Sequence, residues 1–192
     1  MGNQKNNGKM IIVAGPSGVG KSSFVDKIID EIPGLTDVVT YTTRAIRPGE
    51  IEGVAYHFVT KDQFEKLIVE DFFVEWANVH TNIYGTPFNQ IYDAWEKSDP
   101  VIMDIDVQGA ETFREKFSNC FTIFIHPPSV DALRQRVLSR DKDKVKDLDV
   151  RMENAKKEIA QSHLFHSQLV NDNFEDSYKE FKKIVVAYIK AV

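Results

Sequence analysis

An α/β fold is what this sequence predicts, a parallel sheet with helices on both faces, and three observations predict it. Short apolar runs of strand length alternate with segments of helical spacing. The first of these runs leads directly into a Gly-rich loop and then a helix. Between residues 36 and 86 the alternation is interrupted by short strands with a polar and an apolar side.

The elements follow in chain order. "KMIIVA" (Lys9 to Ala14) is an apolar run that reads as a buried parallel strand. The loop "GPSGVGKS" (Gly15 to Ser22) matches G-x-x-x-x-G-K-[ST]. Behind it "SFVDKIIDEI" sets Phe24, Val25, Ile28, Ile29 and Ile32 at helical spacing. In that context the glycines let backbone N–H groups converge on phosphates, and the helix N-terminus adds partial positive charge. Gly15, Pro16, Ser17, Gly18, Val19, Gly20, Lys21, Ser22 and Ser23 are therefore a candidate polyphosphate site. Lys21 lies against the outer phosphates, and the Ser22 hydroxyl ligates magnesium. The core is thus of the P-loop NTPase type. What receives a phosphoryl group is left open by the loop: water, a protein, a sugar or a second nucleotide.

"VVTYTTR", "VAYHFVT" and "FFVEWANV" supply the strands of the interruption, with one short helix opened by Thr60 and Gln63 as a capping box. They form a small mixed or antiparallel insertion at the carboxyl edge of the parallel sheet, where ligands bind. Core strands resume at "PVIMDID" (Pro100 to Asp106), "CFTIFI" (Cys120 to Ile125) and "SQLV" (Ser167 to Val170). Helical patterns cover Gly109 to Phe117, Ser129 to Ser139, Val150 to Leu164 and Asp176 to Lys190. "SRDKDKVKDLDVR" (Ser139 to Arg151) is too charged to pack; it is a surface loop, either an active-site lid or simply solvated.

Composition excludes several classes. The 192 residues are 42% hydrophobic and 28% charged, enough for a full-sized core in one domain. No apolar run approaches the length of a membrane span, and "MGNQKNNGK" has no signal-peptide character. Asn6 stands where a myristoylation pattern wants Ser or Thr. A net charge of −5 argues against a general nucleic-acid binder, so phosphate sites must be local clusters of Arg and Lys. The single cysteine, Cys120, sits in an apolar run as a core thiol and suits a reducing, cytoplasmic setting.

Arg44 and Arg47 stand three residues apart in "TTRAIRPGE", beside a Pro-Gly turn, and suit a phosphate fork. "YHF", "VEWA", "IYGTP" and "DIDVQG" follow. Taken singly, Tyr56 and Tyr84 read equally well as core tyrosines, and Glu75 as a surface residue. Taken in order, "GPSGVGKS", "TTRAIRPGE", "YHFV", "VEWA", "YGTP", "DIDVQGA", "PPSVDALRQRV" and "VND" resemble the guanylate kinase family, from Lys9 to the C-terminal helix.

That resemblance implies one domain over 1–192: a core of 9–39, 87–138 and 165–192, a GMP-binding region at 40–86 and a lid at 139–158. It implies ATP and GMP as partners, Mg²⁺ as cofactor and ADP and GDP as products, with no nucleic acid and no membrane. Arg44, Arg47, Tyr56 and Tyr84 would hold the GMP phosphate, and Glu50 would brace an arginine. Glu75 would accept from guanine, with Thr40, Gly85 and Thr86 nearby. Asp104 and Asp106 would orient arginine, base or magnesium-bound water. Lys21, Arg136, Arg140 and Arg151 would meet the transferring group, and Asn171 the adenine. Thr40 stands where the family often has Ser, and Asp141 where Gly is usual. Domains of this kind also serve as inactive interaction modules with degraded phosphate machinery. This chain keeps the loop, both insertion arginines and three lid-side arginines, so the resemblance implies an enzyme.

Overall fold

The computed structural model describes residues 8–79, 81–140 and 148–191, the side chain of Arg140 excepted. From the N-terminus the chain forms β1 (Met10–Ala14), α1 (Lys21–Glu31) and the short β2 (Thr36–Asp37). A lobe follows, made of β3 (Tyr41–Thr42), β4 (His57–Phe58), α2 (Lys61–Val69), β5 (Phe73–Val79) and β6 (Asn82–Pro87). The return begins with α3 (Phe88–Glu96), β7 (Val101–Asp104) and α4 (Val107–Lys116). Last come β8 (Cys120–His126), α5 (Val130–Arg140), α6 (Leu148–Ala160), a 3-10 turn at Ser162–Leu164, β9 (Ser167–Val170) and α7 (Phe174–Lys190).

Alternation along β1 shows why the core has two sides. Met10, Ile12 and Ala14 pack with Val101, Met103, Ile91 and Phe113, beneath α3 and α4. Ile11 and Val13 pack with Phe24, Ile28, Phe181 and Val185, beneath α1 and α7. Every residue of β1 is fully buried, as a strand covered on both faces must be. The parallel sheet runs β2-β7-β1-β8-β9. The chain builds β2 and β7 on one side of β1 and β8 and β9 on the other, so the crevice opens at the carboxyl end of β1. Val13 pairs with Asp104, which sets the loop after β1 beside the end of β7.

The second sheet runs β4-β3-β6-β5 and is mixed, because β3 and β4 pair in parallel while the other pairs are antiparallel. Its packing is its own. Phe64 of α2 stacks on Phe73 at 4.6 Å, and Tyr41 meets Phe72 and Phe73 edge-on. Gly85 of β6 lies against this cluster, where a Cβ would come within 2.8 Å of the Phe64 ring. The expected capping box opens α2: Gln63 N–H donates to Thr60 Oγ1 and Thr60 N–H to Gln63 Oε1. Such a cap contributes about 1 kcal/mol.

Several elements differ from the sequence reading. The run "VVTYTTR" is a strand only at Tyr41–Thr42, because Thr42 Oγ1 accepts Arg44 N–H at 3.1 Å and turns the chain. "PVIMDID" ends at Asp104, since Asp106 leaves the strand to cap α4 by accepting Gly109 N–H at 2.8 Å. The expected helix over Val150–Leu164 stops at Ala160 and continues as the 3-10 turn. Neither α3 nor β6 is anticipated, although Phe88, Ile91, Tyr92 and Trp95 carry a helical period. Asp141 and most of the charged run after Ser139 lie outside the described residues.

Candidate active site

The phosphate loop closes on itself through residues that only glycine can supply. Gly15 has φ of +145°, and a Cβ there would meet the Ile125 carbonyl oxygen at 2.4 Å. Gly20 has φ of +105° at the start of α1, with the Asn171 amide 2.9 Å from where a Cβ would sit. Asn171, buried, braces the loop by donating its Nδ2–H to Val19 O at 2.8 Å. That bond fixes the amide, so Oδ1 is the atom left without a partner. Lys21 Nζ lies back across the loop and donates to Gly15 O at 2.7 Å.

Beside the loop stands a set of carboxylates. Ser22 Oγ donates to Asp104 Oδ2 at 2.7 Å. Burial pushes the Asp104 carboxyl up, with Lys21 and the Ser22 bond opposing. Asp37, at the end of β2, is pushed up to about 7 by burial and then by repulsion from Asp104 and Asp26. Among the described residues no group of three or more His, Cys, Asp and Glu is arranged to hold a metal ion alone. The donors are hard oxygens at a helix N-terminus, which fit a magnesium ion completed by phosphate oxygens and water.

Across the crevice the lobe presents a forked cation. Arg44, only 7% exposed, donates from Nη1 and Nη2 to the two carboxylate oxygens of Glu50, at 3.0 and 2.8 Å. The expected brace is therefore Glu50 on Arg44, and Arg47 N–H adds a third bond to Glu50 at 2.8 Å. The Arg44 guanidinium lies 5.2 Å from the Tyr56 ring centre, and Tyr56 packs edge-on against Tyr84. Burial of the guanidinium disfavours its charge, but Glu50 and Tyr84 outweigh this and hold it cationic. Burial raises the Tyr56 hydroxyl further, so it remains a donor. Arg44, Arg47, Tyr56 and Tyr84 thus converge on one wall.

Glu75 sits deeper, on β5 opposite Thr86 of β6. Thr86 Oγ1 donates to Glu75 Oε1 at 2.6 Å, while Oε2 faces Gly109. Burial pushes this carboxyl up to about 7, with Thr86 opposing and Asp106 adding to the shift. A buried acceptor pair beside Asp106 suits a planar ligand edge carrying two donors. Thr40 and Gly85 line the same cleft.

The lid-side arginines separate. Arg151 of α6 donates from Nη2 to Ser17 Oγ at 3.0 Å and so already touches the phosphate loop. Arg136 of α5 donates to the carbonyls of Asn171 and Asp172, at the Asn171 end of the loop. The side chain of Arg140 lies outside the described residues. Two acids that the sequence reading does not name stand near the site, one beside Asp104 and one lining the cleft. One is Asp37. The other is Glu158, seven residues beyond Arg151 on α6, a spacing that marks the same helical face.

One cleft of about 1010 Å³ joins Lys21, Ser22, Arg44, Glu75, Asp104 and Glu158. It sets the Gly-rich loop opposite the Arg44–Glu50 fork and the Glu75–Thr86 pair. The guanylate kinase family model matches residues 7–188. The guanylate kinase of Bdellovibrio bacteriovorus is 55% identical over 177 residues, covering 92% of this chain and 96% of that protein. That of Geobacter sulfurreducens is 40% identical over 183 residues, covering 95% and 90%. The crystal structure of guanylate kinase from Anaplasma phagocytophilum is similar at 29% identity and a TM-score of 0.81, covering 98% of this chain and 89% of that one.

Proposed function

The chain belongs to the guanylate kinase family, and from that premise we propose that its cleft binds ATP along the phosphate loop and GMP against the lobe, transferring the γ-phosphoryl group to give ADP and GDP. The observation that supports the reading is one cleft that joins the Gly-rich loop, the Arg44–Glu50 fork and Glu75, whose Oε1 accepts from Thr86. Phosphoryl transfer asks little covalent chemistry of the protein; it asks that two anions be aligned and their charge neutralised. Lys21 leaves the Gly15 carbonyl to follow charge on the donor phosphates, and Arg151 approaches from α6. Arg44, Arg47, Tyr56 and Tyr84 hold the acceptor phosphate, which is itself the nucleophile, so no catalytic base is needed. Magnesium, when bound through Ser22 Oγ, supplies further neutralisation of the phosphates. Asn171, which braces the loop from beneath through Val19 O, is the residue that the family pattern sets beside the adenine. Residues 40–86 and 139–158 are the acceptor lobe and the lid, and their closure excludes water as a rival acceptor. The lone buried thiol suits a reducing compartment such as the cytoplasm, which is the location proposed.

A coupled ADP-release assay with ATP against GMP, AMP, CMP and dTMP tests the reading. GMP supports turnover and the other three do not, by a wide margin. Comparable rates with AMP, or no turnover with GMP, would overturn it.

A further inference from the structure

Arg151 and Glu158 leave α6 two turns apart and project from nearly the same face. Arg151 meets the phosphate loop at Ser17, and Glu158 lines the same cleft further along. The charges that Glu158 faces are Lys21, at the phosphate end, and Asp106, beside the Glu75 pocket. Among the described residues Glu158 makes no hydrogen bond and no ion pair. Burial pushes its carboxyl up to about 7, with Lys21 opposing and Asp106 adding. A partly buried carboxylate without a donor is costly, so a ligand that brings one gains by it.

The chemistry narrows what that donor is. An ionised carboxylate only accepts hydrogen bonds. A phosphate clamped by arginines is held fully ionised and brings no donor, and the guanine donors are met by Glu75. The donors that remain on the acceptor nucleotide are its ribose hydroxyls. The sugar joins a base beside Asp106 to a phosphate that must meet the donor chain at Lys21. A group on α6 that lines one cleft with both of those residues is within reach of the sugar. We propose that Glu158 is a specificity-determining residue that accepts a hydrogen bond from a ribose hydroxyl of the acceptor nucleotide. This rests on the cleft binding GMP as described above.

Steady-state kinetics with GMP, 2′-deoxyGMP and 3′-deoxyGMP, on the wild type and on Glu158→Ala and Glu158→Gln, test the proposal. The wild type prefers GMP over the analogue lacking the contacted hydroxyl by about tenfold to a hundredfold in kcat/KM, the worth of one charged hydrogen bond. Glu158→Ala brings that ratio to within about twofold of one, and the isosteric Glu158→Gln lowers it while preserving packing. Which deoxy analogue responds identifies the hydroxyl. Equal losses with all three substrates, or no change in either ratio, would overturn the proposal. Absence of turnover with GMP in the wild type would instead overturn the reading of the cleft, and the proposal with it.

Discussion

On the proposed reading Glu75 must be ionised to accept two donors from guanine, yet burial raises its pKa to about 7. The shift is upward, so in the empty cleft the carboxyl keeps its proton between its ordinary range and about pH 7, and GMP must displace it there. If GMP binds only the ionised form, the dissociation constant scales as 1 + 10^(pKa − pH). With a pKa of about 7 the penalty is about 11-fold at pH 6, about twofold at pH 7 and about 1.1-fold at pH 8. Affinity therefore falls as pH drops through 7 and gains nothing above 8. The GMP phosphate and Glu158 titrate in the same range, so the wild type is compared with Glu75→Gln, which has no proton to lose. Isothermal titration with GMP between pH 6 and 8.5 gives the ratio of the two dissociation constants at each pH. That ratio should move about tenfold across the range. A ratio that stays constant would refute the assignment of guanine to an ionised Glu75.

Other outcomes follow from the same geometry. The raised pKa means that ionising Glu75 opposes folding, wholly above about pH 7 and not at all below the ordinary carboxyl range. Glu75→Gln should therefore be more stable than the wild type by about 1–3 kcal/mol at pH 8 and equal to it near pH 4.5, read by thermal or urea denaturation. Glu50→Ala strips Arg44 of both carboxylate bonds while leaving it buried. It should cost roughly 3 kcal/mol of stability, and saturating GMP should restore part of the loss by supplying a phosphate in place of the carboxylate. Lys21→Ala should leave the circular dichroism spectrum unchanged but lower kcat at least about 10²-fold; retention of a tenth of the wild-type rate would remove Lys21 from the transition state.

How much of this is legible in the sequence depends on how local the chemistry is. The turn from β1 into α1 is legible because its glycines, Lys21 and Ser22 fall within eight consecutive residues. The core strands are legible because they are buried on both faces and read as unbroken apolar runs. The insertion is blurred: β3 and β4 are two residues each, and the Thr42 hydroxyl and the Arg44–Glu50 fork set their ends. The Glu50 brace is within reach of sequence reasoning, since its partner is six residues away. Glu158 and Asp37 are not, because only the tertiary placement of α6 beside the cleft and the pairing of β2 with β7 bring them near Lys21 and Asp104. Arg136 shows the converse limit. Its position on α5 follows from helical spacing, but its bonds to Asn171 and Asp172 depend on how β9 ends.

The central claim is that one cleft selects guanine through Glu75 while the phosphate clamp is indifferent to the base. Specificity constants for GMP, IMP and AMP on the wild type and on Glu75→Ala test it most directly. Adenine presents a bare ring nitrogen where guanine presents a donor, leaving the carboxylate desolvated and unpaired. The wild type should therefore favour GMP over AMP by about 10⁴-fold or more, with IMP between them. Glu75→Ala should lose at least about 10²-fold with GMP and collapse the GMP to AMP ratio, with the Arg44 and Arg47 clamp still in place. An unaltered GMP to AMP ratio in Glu75→Ala would contradict the account.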